Sequence, residues 1–341
     1  MISKKIWWEN LIVIGSFFII VLFISWIFLP FYSAAPINVV IPPGADSYRI
    51  ARILYQQKVI KNKFLFILLS KILNWEKTLK AGKYEFTSSN MIDVLRKLRE
   101  GGIKISRVTI PEGLPKWDIA EILETEEIIK KDKFLALVDN PASLKKDFFF
   151  LSSVKNLEGY LYPDTYYFIK EENQQEVIRK FLFRFQEIVL PIYEKKDPQD
   201  NLSLEEVIIL ASIIEKEAQV SSEKPIIAAV FRNRLRKGMK LRADPTIKYA
   251  LGDFRTRLTY RELNASSPYN TYLHYGLPPG PICNPGKDSI YAVLHPANVN
   301  YLYFVAKGDG THKFSKTYEE HLKAVYKYQK EKANDSFTSG S

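Results

Sequence analysis

The sequence predicts an α+β protein in which an N-terminal transmembrane helix precedes a small α+β module and a larger α+β domain. Three observations support this prediction. The N-terminal region contains a 19-residue run without a charge, which is long enough to cross a bilayer as a helix. From residue 37 onward, short β-branched or aromatic segments alternate with stretches of helical periodicity. A longer apolar helix begins at a capping box near residue 203.

The composition is that of a folded protein with an anionic partner. Of the 341 residues, 46% are hydrophobic and 13% aromatic, which is typical of a chain with a sizeable core. The net charge of +11 favours nucleic acid, an acidic membrane surface or an acidic polymer as partner. No nucleic-acid motif is present, so we expect no nucleic-acid partner. The single cysteine, Cys283, excludes an internal disulfide, and we expect a buried thiol.

Residues 11–31 are predicted to form a single transmembrane anchor. Lys4 and Lys5 precede this segment, and no Lys or Arg follows it until Arg49. The positive-inside rule therefore predicts that residues 1–10 are a short cytoplasmic segment and that the rest of the chain lies outside the cytoplasm. The expected location is the inner (plasma) membrane, with a single span and the large domain in the periplasm or otherwise extracytoplasmic.

A cleaved signal peptide is the alternative interpretation of the N-terminus. Ser33-Ala34-Ala35 resembles a small-residue cleavage site. The apolar run is longer than a usual signal-peptide core, and Pro36 directly after the alanines would hinder cleavage. The sequence therefore favours an uncleaved anchor.

Residues 37–105 are predicted to form the small module. The β-branched run Ile37–Ile41 and the segment Lys83–Phe86 predict two strands. Asp46 or Ser47 can cap one helix and Asn90 another. The apolar spacing predicts helices over residues 48–54, 63–73 and 92–99.

Residues 106–330 are predicted to form the larger domain, and residues 331–341 a polar tail. The pattern predicts strands over residues 107–110 and 301–305, a hairpin that continues to residue 314, and helices over residues 204–220 and 224–237. The second of these helices is expected to have a solvated basic side and C-terminal turn, formed by Arg232, Arg234, Arg236 and Lys237. Asp244 precedes a proline, so we expect it to be extended.

Glu217 is the residue of the first long helix that most needs an explanation. Apolar residues recur at 207, 210, 211, 213 and 214, and the triplet Glu215-Lys216-Glu217 follows directly. At about 100° per residue, Glu217 lies near the apolar stripe, Glu215 at its flank, and Lys216 nearly opposite, toward solvent. A carboxylate inside a buried stripe is unfavourable unless it is paired or protonated. Glu217 is therefore a candidate for a carboxylic acid with a raised pKa.

The remaining motifs exclude most other chemistries. No two of the four histidines have the i, i+4 spacing of a helical metal site, so we expect neither a metal nor a cofactor. No nucleophile elbow, phosphate-binding loop or dinucleotide fingerprint is present. Carboxylates are therefore the remaining candidates for catalysis. Cleavage of a glycosidic bond uses a carboxylic acid of raised pKa. Most glycosidases add a second carboxylate; the candidates are Glu158, Asp164, Asp244 and Glu215, and the sequence does not choose among them.

Two groups of residues are candidates for binding sugar rings, because aromatic faces stack on sugars and amides or carboxylates bond their hydroxyls. The first lies in the Gly/Pro-punctuated segment 157–166, for which a packed aromatic core under a loop is the alternative. The second lies in the polar loops 241–246 and 267–272. Together the candidates are Glu158, Tyr160, Asp164, Arg242, Asp244, Thr246, Tyr269, Asn270, Thr271 and Tyr272.

Several motifs, in one order, resemble a known family. They read ASIIEKEA, VFRNRLRKGMKLRADPT, SPYNTY, GLPPGPI-x-NPG and YLYFVA, with EGYLYPDTY before them. By these motifs, and over nearly its whole length, the chain is similar to the YceG-like family of MltG-type endolytic murein transglycosylases. The stretch IPPGADSYRIARIL in residues 37–105 resembles the opening of LysM-type glycan-binding modules. A small packing domain that lifts the rest of the chain off the membrane is the alternative for this module.

The resemblance implies an enzyme anchored in the membrane that cuts nascent peptidoglycan glycan strands internally, between N-acetylmuramic acid and N-acetylglucosamine. The muramyl C6 hydroxyl attacks its own C1 and leaves a 1,6-anhydro end, so one catalytic Glu suffices. In the family motif this acid is the second Glu of the triplet, here Glu217. The family also implies a role in terminating glycan strands and association with penicillin-binding peptidoglycan synthases.

Two departures from the family pattern leave alternatives open. Ala218 stands where the family commonly has Thr, and Arg242-Ala243 stands where it commonly has Gln-Thr. An inactive glycan-binding scaffold of cell-wall synthesis is one alternative. A hydrolytic muramidase that uses a second acid, such as Glu158 or Asp244, is the other. Neither departure removes Glu217, so we expect activity.

Overall fold

The computed structural model of the protein describes residues 14–15, 35–87, 89–254 and 258–331, without the side chains of residues 329–331. Within these ranges, no helix is both long and apolar enough to cross a membrane. Apart from residues 14–15, the predicted anchor at residues 11–31 lies outside the described part of the chain.

The chain divides into two compact units. One consists of Met1–Arg107 with Tyr167–Lys170, and the other of Val108–Tyr166 with Glu171–Ser341. The strands β3 (Ile105–Thr109) and β4 (Thr165–Ile169) pair in a two-stranded sheet.

The first unit pairs two short antiparallel strands, β1 (Ile37–Ile41) and β2 (Gly82–Phe86). Val39 lies opposite Tyr84, and both are buried, as the period-2 alternation of a half-buried strand requires. Three amphipathic helices supply the rest of its core, which includes Leu54, Phe66 and Val94; they are α1 (Ser47–Gln56), α2 (Lys63–Ile72) and α3 (Met91–Glu100).

Side-chain caps fix where these three helices begin. Asp46 accepts a hydrogen bond from the Arg49 N–H at 2.7 Å, and Asn62 and Asn90 cap the next two helices in the same way. Such caps satisfy N–H groups that have no partner inside a helix. Of the two residues that the sequence offered as the first cap, Asp46 is the one that serves. The LysM-like character of residues 37–105 stays a prediction.

The second unit is mainly helical. Its helices are α4 (Lys116–Thr125), α5 (Lys131–Asp139), α6 (Gln174–Glu194), α7 (Leu204–Glu217), α8 (Lys224–Arg236), α9 (Asp244–Leu251), α10 (Lys287–Leu294) and α11 (Tyr318–Val325). The antiparallel hairpin of β5 (Tyr303–Ala306) and β6 (His312–Ser315) lies between the last two helices, where the sequence predicts a hairpin.

Helix α7 lies at the centre of this unit. The helices α8, α9 and α10 all pack against it, and each of the eight residues from Val207 to Ile214 is buried. A helix that is apolar on every side is enclosed by its neighbours. Cys283 is buried beside it, as the sequence predicts, with its Sγ 3.3 Å from the Ser212 carbonyl oxygen. The chain that carries Glu217 is therefore rigidly supported.

Candidate active site

Glu217 is the last residue of α7, because Ala218 turns into an extended conformation. At the other end, Ser203 and Glu206 form the capping box that the sequence predicts. The carbonyl groups at a helix C-terminus carry partial negative charge, which disfavours a carboxylate there. The position of Glu217 along its own helix therefore already favours the protonated acid.

The surroundings of Glu217 raise its pKa further. The side chain is partly buried and makes no hydrogen bond with any residue in the described ranges. Loss of hydration on burial, followed by the negative charge of Asp244, raises the pKa of Glu217 to about 8. The positive charges of Arg234 and Lys248 act in the opposite direction. Glu217 is thus protonated at neutral pH, with two cations near enough to favour its carboxylate once the proton has left.

Arg234 lies inside the protein, and the expectation of a solvated basic side on α8 is wrong for this residue. Only 8% of Arg234 is exposed, and its guanidinium donates to the Leu302 carbonyl at 2.6 Å and to the Leu241 carbonyl. Burial lowers its pKa, while the charge of Glu217 raises it. Arg234 is three residues from Phe231 and four from Val230, so helical spacing places it on the buried face.

The Arg232 guanidinium also forms an ion pair and a hydrogen bond within the protein, so the expectation of a solvated side is wrong for it too. Its Nη1 is 2.6 Å from an Asp200 carboxylate oxygen and 2.9 Å from the Val293 carbonyl oxygen. Arg232 and Arg234 therefore tie α8 to its neighbours on two sides.

Asp244 and Tyr272 face each other beside Glu217. The Tyr272 hydroxyl donates to Asp244 Oδ1 at 2.6 Å, and the Asp244 side chain is otherwise exposed. The expectation that Asp244 is extended is wrong, because it is the first residue of α9 and the extended residue is Ala243, one position earlier. Proline fits the first turn of a helix, where no N–H partner is needed, so Pro245 begins α9 instead of preventing it.

A pair of buried threonines holds the turn that carries Arg242 and Asp244. The Thr246 and Thr271 hydroxyl oxygens are 3.0 Å apart, and Thr271 Oγ1 also accepts a hydrogen bond from the Ala243 N–H at 2.9 Å. The Arg242 N–H donates to the Thr271 carbonyl at 3.1 Å. Both threonines are buried, so they support this part of the site from behind its surface.

Asn270 organises the loop that presents Tyr269 and Tyr272. It is fully buried; its amide donates to the Leu263 and Ala265 carbonyls, and its Oδ1 accepts from the Tyr272 N–H at 2.9 Å. The flanking tyrosines are both partly exposed. Asn270 therefore does not reach the surface itself, and it positions the loop from which Tyr269 and Tyr272 do.

Glu158 joins three separate segments and does not face solvent. Its carboxylate is 0% exposed and accepts hydrogen bonds from the Lys116 N–H at 3.1 Å, the Tyr249 hydroxyl at 3.1 Å and the Asn284 amide at 2.9 Å. Burial raises the pKa of Glu158 to about 7, although these donors lower it. All of its oxygens are in use, so its position suits a structural acid better than a second catalytic one.

The residue after Glu158 is a glycine because the backbone there is closely packed and has a positive φ. Gly159 has φ of +87°, and a Cβ there would lie 2.6 Å from the Pro281 ring and 2.7 Å from Ile208 of α7. Only glycine fits so close an approach in this conformation. The segment that carries Glu158 therefore packs directly on α7.

Several aromatic rings lie between Glu158 and the Glu215-Lys216-Glu217 triplet, beginning with Tyr249, whose hydroxyl donates to Glu158. The Tyr249 ring is 4.9 Å from Trp117 and 5.0 Å from Tyr269, measured between centroids. Lys216 lies 4.3 Å above the ring of Phe254 and donates to the Gly113 carbonyl at 3.2 Å. The expectation that Lys216 points to solvent is therefore wrong; it is partly buried in a cation–π contact.

Glu215 is held by α8 and α10. Its carboxylate accepts from the Ser289 hydroxyl at 2.6 Å, the Gly286 N–H at 3.1 Å and the Lys224 ammonium at 3.2 Å. These contacts occupy it as a structural ion pair. Burial and the charge of Glu215 raise the pKa of nearby Glu112.

Tyr160 and Asp164 make their contacts with residues that are not among the candidates for the site. Tyr160 is buried between the rings of Phe150 and Phe185, so the packed aromatic core is the correct interpretation for it. Asp164 forms an ion pair with Arg184 of α6 at 2.5 Å. Of the predicted candidates, the fold gathers Glu217, Asp244, Tyr272 and Arg242 into one region. Arg234, which was predicted on a solvated side, and Lys248, which the sequence did not single out, belong to the same region.

Comparisons with known proteins find a family match and related sequences. The sequence profile of the YceG-like family matches residues 39–327. An endolytic murein transglycosylase of Bacillus subtilis is 36% identical over 309 residues, which cover 87% of this chain and 86% of that protein. One of Streptococcus pneumoniae is 30% identical and matched over 87% of this chain but 59% of its own length.

A solved structure is similar as well. A YceG-like protein of Listeria monocytogenes, known from a 2.6 Å crystal structure, shares 38% sequence identity with this chain and superposes with a TM-score of 0.60. The match covers 85% of this chain and 99% of the other. Sequence and fold therefore agree over the mixed α/β part of the molecule.

Proposed function

This chain belongs to the YceG-like family, and on that basis we propose that it is an endolytic lytic transglycosylase of peptidoglycan with Glu217 as its catalytic acid and base. The bond cut lies between N-acetylmuramic acid and N-acetylglucosamine, and the product ends in 1,6-anhydro-N-acetylmuramic acid. The observation that carries the proposal is a partly buried carboxyl group, pKa about 8, that has no hydrogen-bond partner among the described residues. Curated relatives named endolytic murein transglycosylases support it.

One acid can perform both halves of this reaction. Protonated Glu217 gives its proton to the glycosidic oxygen as the bond from that oxygen to the muramyl C1 breaks. The muramyl C6 hydroxyl then attacks C1, and its proton returns to the Glu217 carboxylate. Because the nucleophile belongs to the same sugar, no second carboxylate is needed to activate water. Arg234 and Lys248 favour the carboxylate between the two steps, and Asp244 favours the protonated acid before them.

The other candidate carboxylates are less suited to catalysis. Glu158 is fully buried with its oxygens bonded, Glu215 is paired with Lys224, and Asp164 is paired with Arg184. Asp244, partly engaged by Tyr272, is the remaining candidate for a hydrolytic base. The scaffold and muramidase alternatives gain no support from the names of the relatives.

The decisive experiment uses Glu217→Gln and uncrosslinked glycan strands, with product masses measured by mass spectrometry. The wild type should release anhydro-ended fragments, and the variant should lose at least about 100-fold in kcat/KM, the usual contribution of a general acid. Glu121→Gln, an exposed acid on α4, is the matched control and should retain full activity. Products heavier by one water would instead identify a muramidase.

The cellular setting belongs to the same proposal. Residues 11–31 would hold the enzyme in the plasma membrane with residues 1–10 in the cytoplasm, as their uncharged run and the preceding lysines favour. Residues 37–105 would act as a LysM-like module on the outer side. There the enzyme would terminate nascent strands next to penicillin-binding peptidoglycan synthases.

A further inference from the structure

The connection between α8 and α9 presents a guanidinium group that is not engaged by the rest of the site. The Arg242 side chain is exposed and makes no hydrogen bond, ion pair or ring contact with another residue in the described ranges. Lys240, two residues earlier, lies 4.9 Å above the ring of Tyr275. The neighbouring acid Asp244 already accepts a hydrogen bond from Tyr272. The region therefore offers positive charge to a ligand.

The backbone of Arg242 is held in an unfavourable conformation. Its φ of +48° lies in the left-handed region that side chains other than glycine rarely adopt. The Thr271 carbonyl and hydroxyl hold it there through the N–H groups of Arg242 and Ala243, and Thr246 bonds the same hydroxyl. Strained residues that their surroundings over-determine are concentrated at functional sites. The side chain thus leaves the turn in a direction fixed by buried groups.

The same turn is bonded directly to the neighbours of Glu217. The Arg234 guanidinium donates to the carbonyl of Leu241, the residue before Arg242. Two residues after Arg242, Asp244 is the charged residue that contributes most to the raised pKa of Glu217. Arg242 therefore lies between two positions whose charges reach the catalytic acid, at the rim of the candidate active site.

Given the function proposed above, we propose that Arg242 binds a carboxylate of the muramoyl residue at the cut, with Lys240 as an accessory cation. N-acetylmuramic acid carries a lactyl group that ends in a carboxylate, or in an amide to a peptide stem with carboxylates of its own. N-acetylglucosamine carries neither. The planar guanidinium binds a carboxylate through two parallel hydrogen bonds. Such a subsite strengthens the binding of the muramoyl residue at Glu217 in this chain.

A purely electrostatic effect of Arg242 on the acid is the competing explanation. A nearby positive charge favours the carboxylate form of Glu217 for every substrate alike. A carboxylate subsite acts only on strands that carry a carboxylate. The two explanations therefore differ in whether the effect of the side chain depends on the charge of the substrate.

The test combines variants of the full chain with three substrates. The substrates are uncrosslinked strands with peptide stems, strands stripped of stems by an amidase, and stripped strands whose lactyl carboxylates have been converted to amides. Arg242→Gln should lower kcat/KM about tenfold on strands with carboxylates, the scale of one lost charged hydrogen-bond pair, and leave the amidated strands unaffected. Arg242→Lys should retain part of the activity. Lys237→Gln removes an exposed charge near the end of α8 and is the matched control.

The outcomes separate the carboxylate sources and the two proposals. A loss on stem-bearing strands alone identifies a stem carboxylate, and a loss on stripped strands identifies the lactyl group. An equal loss on all three substrates, or a wild type that does not discriminate against amidated strands, overturns the subsite. Strand binding by Glu217→Gln with and without Arg242→Gln, measured by calorimetry, needs no turnover. The chain could bind carboxylate-bearing strands preferentially and still release no anhydro-ended products. That result would refute the proposed function and would support the Arg242 subsite.

Discussion

Opposing neighbours set the pKa of Glu217. Burial and Asp244 hold the proton on, while Arg234 and Lys248 favour its release. A group that must first donate a proton and then accept one works best when its pKa lies near the working pH. An acid buried without cations would donate and then be left as an unfavourable carboxylate. The combination near Glu217 fits both steps.

Asp244→Asn tests this balance. The amide keeps a hydrogen-bond acceptor for Tyr272 and removes the negative charge, so the pKa of Glu217 should fall. Because the donating form is then lost at lower pH, the alkaline limb of the kcat/KM profile should move to lower pH. The measurement is a pH–rate profile on uncrosslinked strands, with the exposed Asp132→Asn on α5 as control. An unmoved alkaline limb would show that Asp244 does not act on the acid.

At the residue scale, helical spacing identifies buried charged residues of the site that a search for acids alone would miss. The sequence singles out Glu217 because it interrupts an apolar run, and the same spacing on α8 places Arg234 on the face of Val230 and Phe231. The contacts of Thr246 with Thr271 could not be predicted. They join residues 25 positions apart, and no local pattern encodes that pairing.

At the scale of elements, Glu215 fixes the end of α7 against two other helices. Its carboxylate bonds Ser289 and Gly286 at the start of α10 and Lys224 at the start of α8. The Lys224 side chain is 6% exposed and that of Glu215 is 10% exposed, so neither charge is hydrated well enough to stand alone. The acid of the triplet that is not catalytic in our proposal thus positions the one that is.

Glu215→Gln should therefore destabilise the protein and lower kcat. Loss of one charge from a buried pair leaves Lys224 uncompensated, and we expect a loss of about 3 kcal/mol in the free energy of unfolding. Urea unfolding followed by circular dichroism measures it. Glu319→Gln breaks the exposed pair with Lys323 on α11 and should cost less than about 1 kcal/mol. If both variants lost the same stability, the pair at Glu215 would not be a buried clamp.

Elements with local signals could be predicted, and those without them could not. The caps at Asp46 and Asn90 and the hairpin of β5 and β6 follow from short patterns. Helix α6 was not predicted because its aromatic stretch FLFRF is equally compatible with a strand and because Pro191 lies within it. Helix α9 was missed because proline after Asp244 favours an extended residue unless a helix begins there.

On the scale of the whole molecule, buried acids make folding dependent on pH. Glu158 has a pKa of about 7 and Glu217 one of about 8, both raised mainly by burial. An unfolded chain releases these protons near pH 4.5, whereas the folded chain keeps them. The folded state therefore binds more protons between these limits. Its free energy of unfolding must fall as pH rises through that window.

Glu158→Gln should remove about half of this dependence below pH 7, because Glu217 contributes a similar share over the same range. For a group whose folded pKa is raised, the stabilisation is fully present below about pH 4.5 and is lost as pH approaches 7. A shift of this size corresponds to about 3 kcal/mol for Glu158. The full chain should therefore lose stability from pH 4.5 to 7 in urea titrations, and the variant should lose about 3 kcal/mol less. Glu217→Gln is the control, because its effect should extend to pH 8. Parallel curves for wild type and Glu158→Gln would mean that the pKa of Glu158 in the folded protein stays near 4.5, with its three donors balancing the cost of burial.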